Sequence, residues 1–199
     1  MTGSDSLGST FPTVLEAARA GEARAFERLY ELLHRRVYAF AHVRGCADPE
    51  GLVNDVFVQV FVNIGTFEGN EPQFKAWVFR IARNRVIDEA RRRRRRPIDA
   101  SLDEETIHGL TSVDDTEREA LDRVGSASVL AHLDALTPEQ RDVVLLRIVA
   151  DLTIESIAGI LDKRPGAVKA LQRRAFRTLA REMALDARTP SDYSAVAGR

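Results

Sequence analysis

Residues 74–97 read FKAWVFRIARNRVIDEARRRRRRP. An amphipathic helix carrying Trp77 runs straight into six adjacent arginines, Arg91 to Arg96, and Pro97 stops it. Six neighbouring cations repel one another, and solubility alone does not require them; they need an anionic partner. From Lys75 to Arg96, ten Lys/Arg stand against Asp88 and Glu89, a net of +8. A phosphate backbone is the natural counter-surface for such a segment. At about 100° per residue, Trp77, Arg80, Asn84 and Asp88 fall within an arc of roughly 80° on one helix face. That face offers a stacking ring, a bidentate donor, an amide and a carboxylate, the group types that read exposed bases. Taken alone, the stretch fits equally a solvated helix end followed by a basic tether, or a localisation-type basic run.

Upstream of this stretch the chain reads as helices. Residues 11–20 form a short one with Gly21 as its stop. Residues 22–44 repeat apolar side chains at three- and four-residue steps (Phe26, Leu29, Leu33, Val37, Phe40), the mark of a buried stripe. Asp48 is a good N-cap with Pro49 at the first helical position, opening a helix to about residue 64. Residues 65–71 are a loop, and Pro72 opens the arginine-ended helix.

Downstream, residues 98–124 carry nine Asp/Glu against Arg118 and Arg123, a net of −7, with few large apolar residues. Such a segment is an extended or mobile connector. Helical signals return near residue 126, where Val129, Leu133 and Leu136 mark one helix. Thr137-Pro138-Glu139-Gln140 is a capping-box start, and the helix it opens buries Val143, Val144, Leu146 and Ile148. Thr153 caps a short helix over 154–161, a turn follows at 162–164, and Pro165 opens the last helix. That pair has the dimensions of a helix-turn-helix. In the last helix Val168, Leu171, Ala175 and Leu179 share one side, and Lys169, Arg173, Arg174, Arg177 and Arg181 the other. From Lys163 to Arg181 there are seven Lys/Arg and no acid. A solvated surface helix of this length interleaves glutamates to support i,i+4 pairs; their absence favours major-groove or phosphate contact.

The fold class is therefore all-α: two small helical domains, 11–97 and 126–183, joined by an acidic linker at 98–125 and followed by a disordered tail over 184–199. The chain has 199 residues, 44% of them hydrophobic and 30% charged, and its formal net charge of −1 conceals two basic segments flanking an acidic one. No stretch approaches a membrane span. The opening MTGSDSLGST lacks a basic start and an apolar core, so no signal peptide is expected. Cys46 is the only cysteine and fits a reducing cytoplasm as a small core or loop residue. There is no P-loop, zinc-ligand motif or nucleophile elbow, and His34, His42, His108 and His132 are widely spaced. No catalytic residue, metal or cofactor is expected.

With both basic segments in hand, the chain resembles bacterial RNA polymerase sigma factors of the extracytoplasmic-function group, from about Phe11 to Arg181 and in the family's order. AARAGEARAFERLYELLHRRVYAFA resembles the opening of the family's second conserved region. DPEGLVNDVFVQVF is similar to its core-polymerase-binding helix. FKAWVFRIARNRVIDEARRR is similar to the helix that binds the promoter −10 element. LTPEQRDVVLLRIVADLTIESIAGILDKRPGAVKALQRRAFRTL is similar to the fourth region, which binds the −35 element. The resemblance implies an alternative sigma factor, a dissociable non-enzymatic subunit in the cytoplasm, which binds core RNA polymerase and directs it to promoter DNA. It places core-polymerase contacts at Leu52, Val53, Asn54, Asp55 and Phe57, with Gly51 where the family usually has an acid and Asn54 where it has glutamine. It places −10 contacts at Trp77, Arg80, Asn84, Asp88, Arg91 and Arg92. In the last helix Gly166, Val168 and Lys169 match the family pattern while Ala170 and Leu171 replace its frequent Ser-Arg. Base reading at −35 should then shift to Lys169, Gln172, Arg173 and Arg174, with Arg177 beside them. An anti-sigma protein is an expected partner by resemblance, and no membrane insertion is. The rival function is an autonomous helix-turn-helix regulator, which accounts for residues 136–179 and leaves 74–96 unexplained.

Overall fold

A computed structural model describes residues 6–95 and 131–186. The expected linker, residues 126–130 of the expected second domain, and residues 187–199 of the expected tail lie outside them. Every regular element among the described residues is helical, as expected: α1 Phe11–Arg19, α2 Ala23–Val43, α3 Pro49–Asn63, α4 Glu71–Arg95, α5 Pro138–Ile148, α6 Ile154–Leu161 and α7 Pro165–Asp186.

The helix ends follow local chemistry. Gly21 takes φ +87°, and the N–H of Glu22 returns to the carbonyl of Ala17 at 3.0 Å, closing α1. The Asp48 side chain accepts the Gly51 N–H at 2.8 Å, with Pro49 at the first position of α3. Thr137 and Gln140 exchange side-chain bonds to each other's backbone N–H at 3.3 and 3.1 Å, the capping box read from the sequence. Thr153 caps α6 by accepting the Ser156 N–H at 3.2 Å.

Three expectations differ: Ile148, expected buried, is 62% exposed, the last helix runs on through residues 184–186 of the expected tail, and the start of α4 shifts. Helix α4 starts at Glu71, one residue before Pro72. The cause is a second reciprocal cap: Asn70 Oδ1 accepts the Gln73 N–H at 3.1 Å while Gln73 Oε1 accepts the Asn70 N–H at 2.8 Å. Asn70 is thus the cap, and proline sits comfortably inside the first turn.

The chain divides into two compact units, residues 1–102 with 144–168 and residues 103–143 with 169–199. The first is cored by aromatic rings. Phe40, Phe74 and Phe79 are fully buried, with Phe11 facing Phe74 at 5.7 Å and Phe40 meeting Phe79 edge-on at 5.8 Å. Four of the five residues of the expected α2 stripe, Leu29, Leu33, Val37 and Phe40, are at 0% exposure, while Phe26 is half-buried. In the second unit Leu133, Leu136, Val143, Leu171 and Ala175 are buried, and Arg141 pairs with Asp134 at 2.9 Å.

Candidate nucleic-acid and polymerase interfaces

Three surfaces carry the residues singled out from the sequence. On α4, Trp77 is half-buried and one indole face lies against Phe67, centroids 5.0 Å apart at 21°. Gln59, Asn63, Thr66, Glu68 and Ile81 join those two rings in lining a cleft of about 550 Å³. Gln59 and Ile81 also line the next cleft along with Asn84, Arg85 and Asp88, so the two form one groove between α3 and α4. Arg85 crosses it, donating from Nη2 to Gln59 Oε1 at 2.9 Å. The groove is lined by amides, a hydroxyl and a ring, group types that suit an extruded nucleobase. Trp77, Asn84 and Asp88 thus share it, whereas Arg80 does not line it. Arg80 is exposed, and its Nη2 donates to the carbonyl of Gly159 on α6 at 2.6 Å. Arg91 and Arg92 are exposed in the last turns; Arg91 lies 3.7 Å from Asp88.

On α3 the expected polymerase residues separate by burial. Leu52, Val53 and Phe57 are 6, 4 and 3% exposed and belong to the core of the helical unit, while Asn54 and Asp55 face outward. What the sequence reading missed is an apolar patch on the same helix: Val58, Phe61 and Val62 are 64, 54 and 72% exposed. A signal existed. The run VFVQVFV is apolar on all sides, more than one buried stripe accounts for. Gly51 serves the helix cap, since a Cβ there would lie 2.1 Å from Asp48 Oδ2, the end of the capping side chain.

On α7 the amphipathic reading holds. Val168 and Ala175 are 0% exposed and Leu171 7%, while Lys169, Arg173, Arg174 and Arg177 are exposed and Gln172 is half-buried. Phe176, also absent from the expected set, lies on the cationic face at 42% exposure and joins Lys169, Gln172, Arg173 and Arg177 around a shallow depression. At about 100° per residue it falls between Gln172 and Lys169, a position the wheel already gave. The turn into α7 is made by Asp162 in the left-handed region, φ 52° and ψ 49°.

Behind the arginine run the thiol of Cys46 donates to Glu89 Oε2 at 2.6 Å, and the Ala47 N–H donates to Oε1 at 3.0 Å. Burial alone would raise the Glu89 carboxyl, yet the Cys46 and Ala47 hydrogen bonds and the Arg93 charge hold it below the usual range. The Cys46 thiol is pushed up to about 12, by burial first and by Glu89 second. Among the described residues no cluster of His, Cys, Asp and Glu is arranged to hold a metal, and no helix is long and apolar enough to cross a membrane.

Known proteins share this arrangement. Sigma-70 region 2 matches residues 26–96, and Sigma-70 region 4 matches residues 126–179. The ECF RNA polymerase sigma factor BldN of Streptomyces coelicolor is 35% identical over 190 residues, covering 92% of this chain and 70% of that protein. SigX of Bacillus subtilis, another ECF sigma factor, is 29% identical over 164 residues, 80% of this chain and 84% of SigX. Among solved structures, CnrH in complex with the cytosolic domain of CnrY superimposes with TM-score 0.65 at 24% identity over 91% of this chain and all of that one. Bartonella quintana RpoE in complex with the anti-sigma factor NepR gives 0.60 at 22% identity, covering 82% and 99%. With both sigma regions matched in order on one chain whose described elements are all helical, the protein belongs to the ECF sigma factors, the alternative sigma factors that give RNA polymerase its promoter recognition.

Proposed function

We propose that this sigma factor reads promoters through two protein surfaces carried on domains 11–97 and 126–183, and docks on core polymerase through α3. At −35, α7 lies in the major groove. Lys169, Gln172, Arg173 and Arg174 meet base edges, Arg177 meets phosphate, and Phe176 offers an apolar surface suited to a thymine methyl. At −10, an unstacked base enters the groove beside Trp77, Asn84 and Asp88 while Arg91 and Arg92 hold the backbone. With one Trp77 face covered by Phe67, the ring acts as a wall with its remaining face and edge. Arg80 joins only after giving up the Gly159 carbonyl.

On α3, Asn54 and Asp55 with the Val58–Phe61–Val62 patch form the polymerase contact. Leu52, Val53 and Phe57 support it from the core. The protein performs no catalysis of its own, acts in the cytoplasm, and is held inactive by an anti-sigma protein.

The observation that carries this reading is the acid-free cationic face of α7, exposed from Lys169 to Arg177 over a buried apolar back. The test is run-off transcription with purified core polymerase and this chain alone. Transcripts that start at one promoter class are expected. Specific duplex binding without core, together with no factor-dependent initiation, would point instead to an autonomous regulator.

A further inference from the structure

Two side chains one turn apart on α4 close on the loop between α2 and α3. Glu89 takes the Cys46 thiol at 2.6 Å and the Ala47 N–H at 3.0 Å. Arg93 donates from Nη2 to the Gly45 carbonyl at 2.8 Å, and its Nε lies 3.6 Å from Glu89 Oε1. Three successive loop residues are thereby gripped by a carboxylate and a guanidinium distant in sequence. The loop is shaped for it: Gly45 turns at φ +73° and Cys46 is only 9% exposed. Asp48, directly after Ala47, caps α3. The clamp therefore sits where the polymerase-facing helix begins and the DNA-facing helix ends. It also breaks the apparent uniformity of the arginine run: Arg93 donates to a loop carbonyl, Arg91 lies 3.7 Å from Asp88 on its own helix, and Arg92 and Arg95 are exposed.

We propose that Glu89 is a positioning residue, which withdraws Arg93 from the phosphate-binding run and fixes Arg91 and Arg92 relative to the start of α3. The proposal rests on α4 being a DNA surface. A carboxylate that accepts from a thiol and a backbone amide, and faces a guanidinium, sets both the height and the rotation of the helix end. Helix position there determines which phosphates Arg91 and Arg92 can reach. Because the same loop leads into α3, polymerase docking and −10 engagement share one joint.

The tests use the full chain and reconstituted holoenzyme. In the free chain, Cys46 is the only thiol, so its reaction with a disulfide reagent reports the clamp directly. Glu89→Gln should speed that reaction about tenfold, since removing the carboxylate's charge favours ionisation of the thiol. In holoenzyme, promoter binding is followed against salt concentration. Arg92→Ala should flatten the logarithmic slope by about 0.9, the release of one phosphate contact. Arg93→Ala should leave the slope unchanged. Glu89→Gln should steepen it by up to about 0.9, as a freed Arg93 finds a phosphate, and lower discrimination of matched over scrambled −10 sites by about tenfold. If Arg93→Ala flattens the slope as Arg92→Ala does, Arg93 is a phosphate contact and the proposal is overturned. If Arg92→Ala also has no effect, α4 is not the DNA surface and the reading beneath the proposal fails with it. Should Glu89→Gln not fold, Arg93→Ala and Cys46→Ala decide: the first by its unchanged slope, the second by a two- to threefold loss of −10 discrimination.

Discussion

Glu71, at the start of α4, is 6% exposed and surrounded by donors. Its Oε2 accepts the Ser6 hydroxyl at 3.0 Å and the N–H groups of Leu7 and Gly8 at 2.9 and 2.8 Å, and Lys75 Nζ stands 2.7 Å from Oε1. Burial pushes its carboxyl up, but the bonds from Lys75, Ser6 and Gly8 win and the group titrates below the ordinary value. The sign follows by linkage. A carboxyl depressed by folding adds stability above its unfolded value near 4.5, and that contribution fades as pH falls toward the folded value. Glu71→Ala should cost about 2–4 kcal/mol at neutral pH, the loss of charge-assisted bonds around a buried group. Urea midpoints measured from pH 7 to 3 should show wild type and Glu71→Gln converging below about pH 4. A gap that stays constant to pH 3 would mean the ionised carboxylate does not tie the 6–8 segment to α4. Asp162 makes a second residue-scale prediction. A left-handed non-glycine residue costs about 1–2 kcal/mol, less for aspartate. Asp162→Gly should therefore raise the denaturation midpoint slightly and Asp162→Val lower it by at least 1 kcal/mol, about the penalty for a β-branched side chain there. Equal stabilities of the two variants would show the turn to be unstrained.

At the scale of single helices, what the sequence made legible follows from periodicity and caps. The α2 stripe, the Asp48 and Thr153 caps and the Thr137–Gln140 box are local patterns, and each is found in place. The α7 wheel was equally legible because one face is acid-free. Helix α3 was harder. Its apolar residues occupy every side, so spacing alone could not separate Leu52, Val53 and Phe57, which are buried, from Val58, Phe61 and Val62, which are exposed. Only packing against α2 and α4 makes that separation. Trp77 was identified as a base-stacking ring, but Phe67, ten residues earlier, covers one of its faces, a tertiary contact with no sequence signature. The Glu89 clamp was illegible for the same reason, since its partners lie 42 and 43 residues away. The α3 patch gives a direct prediction. Val58→Ser and Val62→Lys alter exposed positions and should change stability by within about 0.5 kcal/mol. Affinity for core polymerase should nevertheless fall by about tenfold or more, as for apolar anchors at an interface. Holoenzyme formation measured by fluorescence anisotropy checks this, and unchanged affinity in both variants would remove the patch from the interface. On α7, Lys169→Ala and Arg173→Ala should cost about 1–3 kcal/mol and change −35 preference, while Arg177→Ala weakens all sequences alike. Filter binding of holoenzyme on matched and scrambled −35 sites separates the two behaviours. Equal losses on both kinds of site for all three variants would show that α7 contacts phosphate alone.

Charge distribution is the property of the whole molecule that local packing cannot explain. Residues 75–96 carry +8, residues 163–181 carry +7 and residues 98–124 carry −7, on a chain whose net charge is −1. The acidic segment lies between the two basic ones in sequence, so any competition with DNA for them would be intramolecular and independent of dilution. The attraction is screened by salt. Arg80, committed to the Gly159 carbonyl at 2.6 Å, is a basic side chain already occupied within the chain. Binding one promoter element assists binding of the second only where the spacing of the two DNA-reading surfaces is held to that of the promoter. Core polymerase supplies both missing conditions if it engages the acidic segment and fixes the spacing. The free chain should therefore bind promoter and random duplex with similar, weak affinity, and holoenzyme should discriminate strongly between them. Replacing Asp103, Glu104 and Glu105 by neutral residues should raise non-specific binding by the free chain at low salt, and the gain should vanish as salt rises. Gel-shift titrations of free chain, triple variant and holoenzyme on promoter and random duplexes measure all of this together. A free chain that selects its promoter as sharply as holoenzyme does would mean that specificity resides in α6 and α7 alone, and the protein would then act on DNA before polymerase arrives.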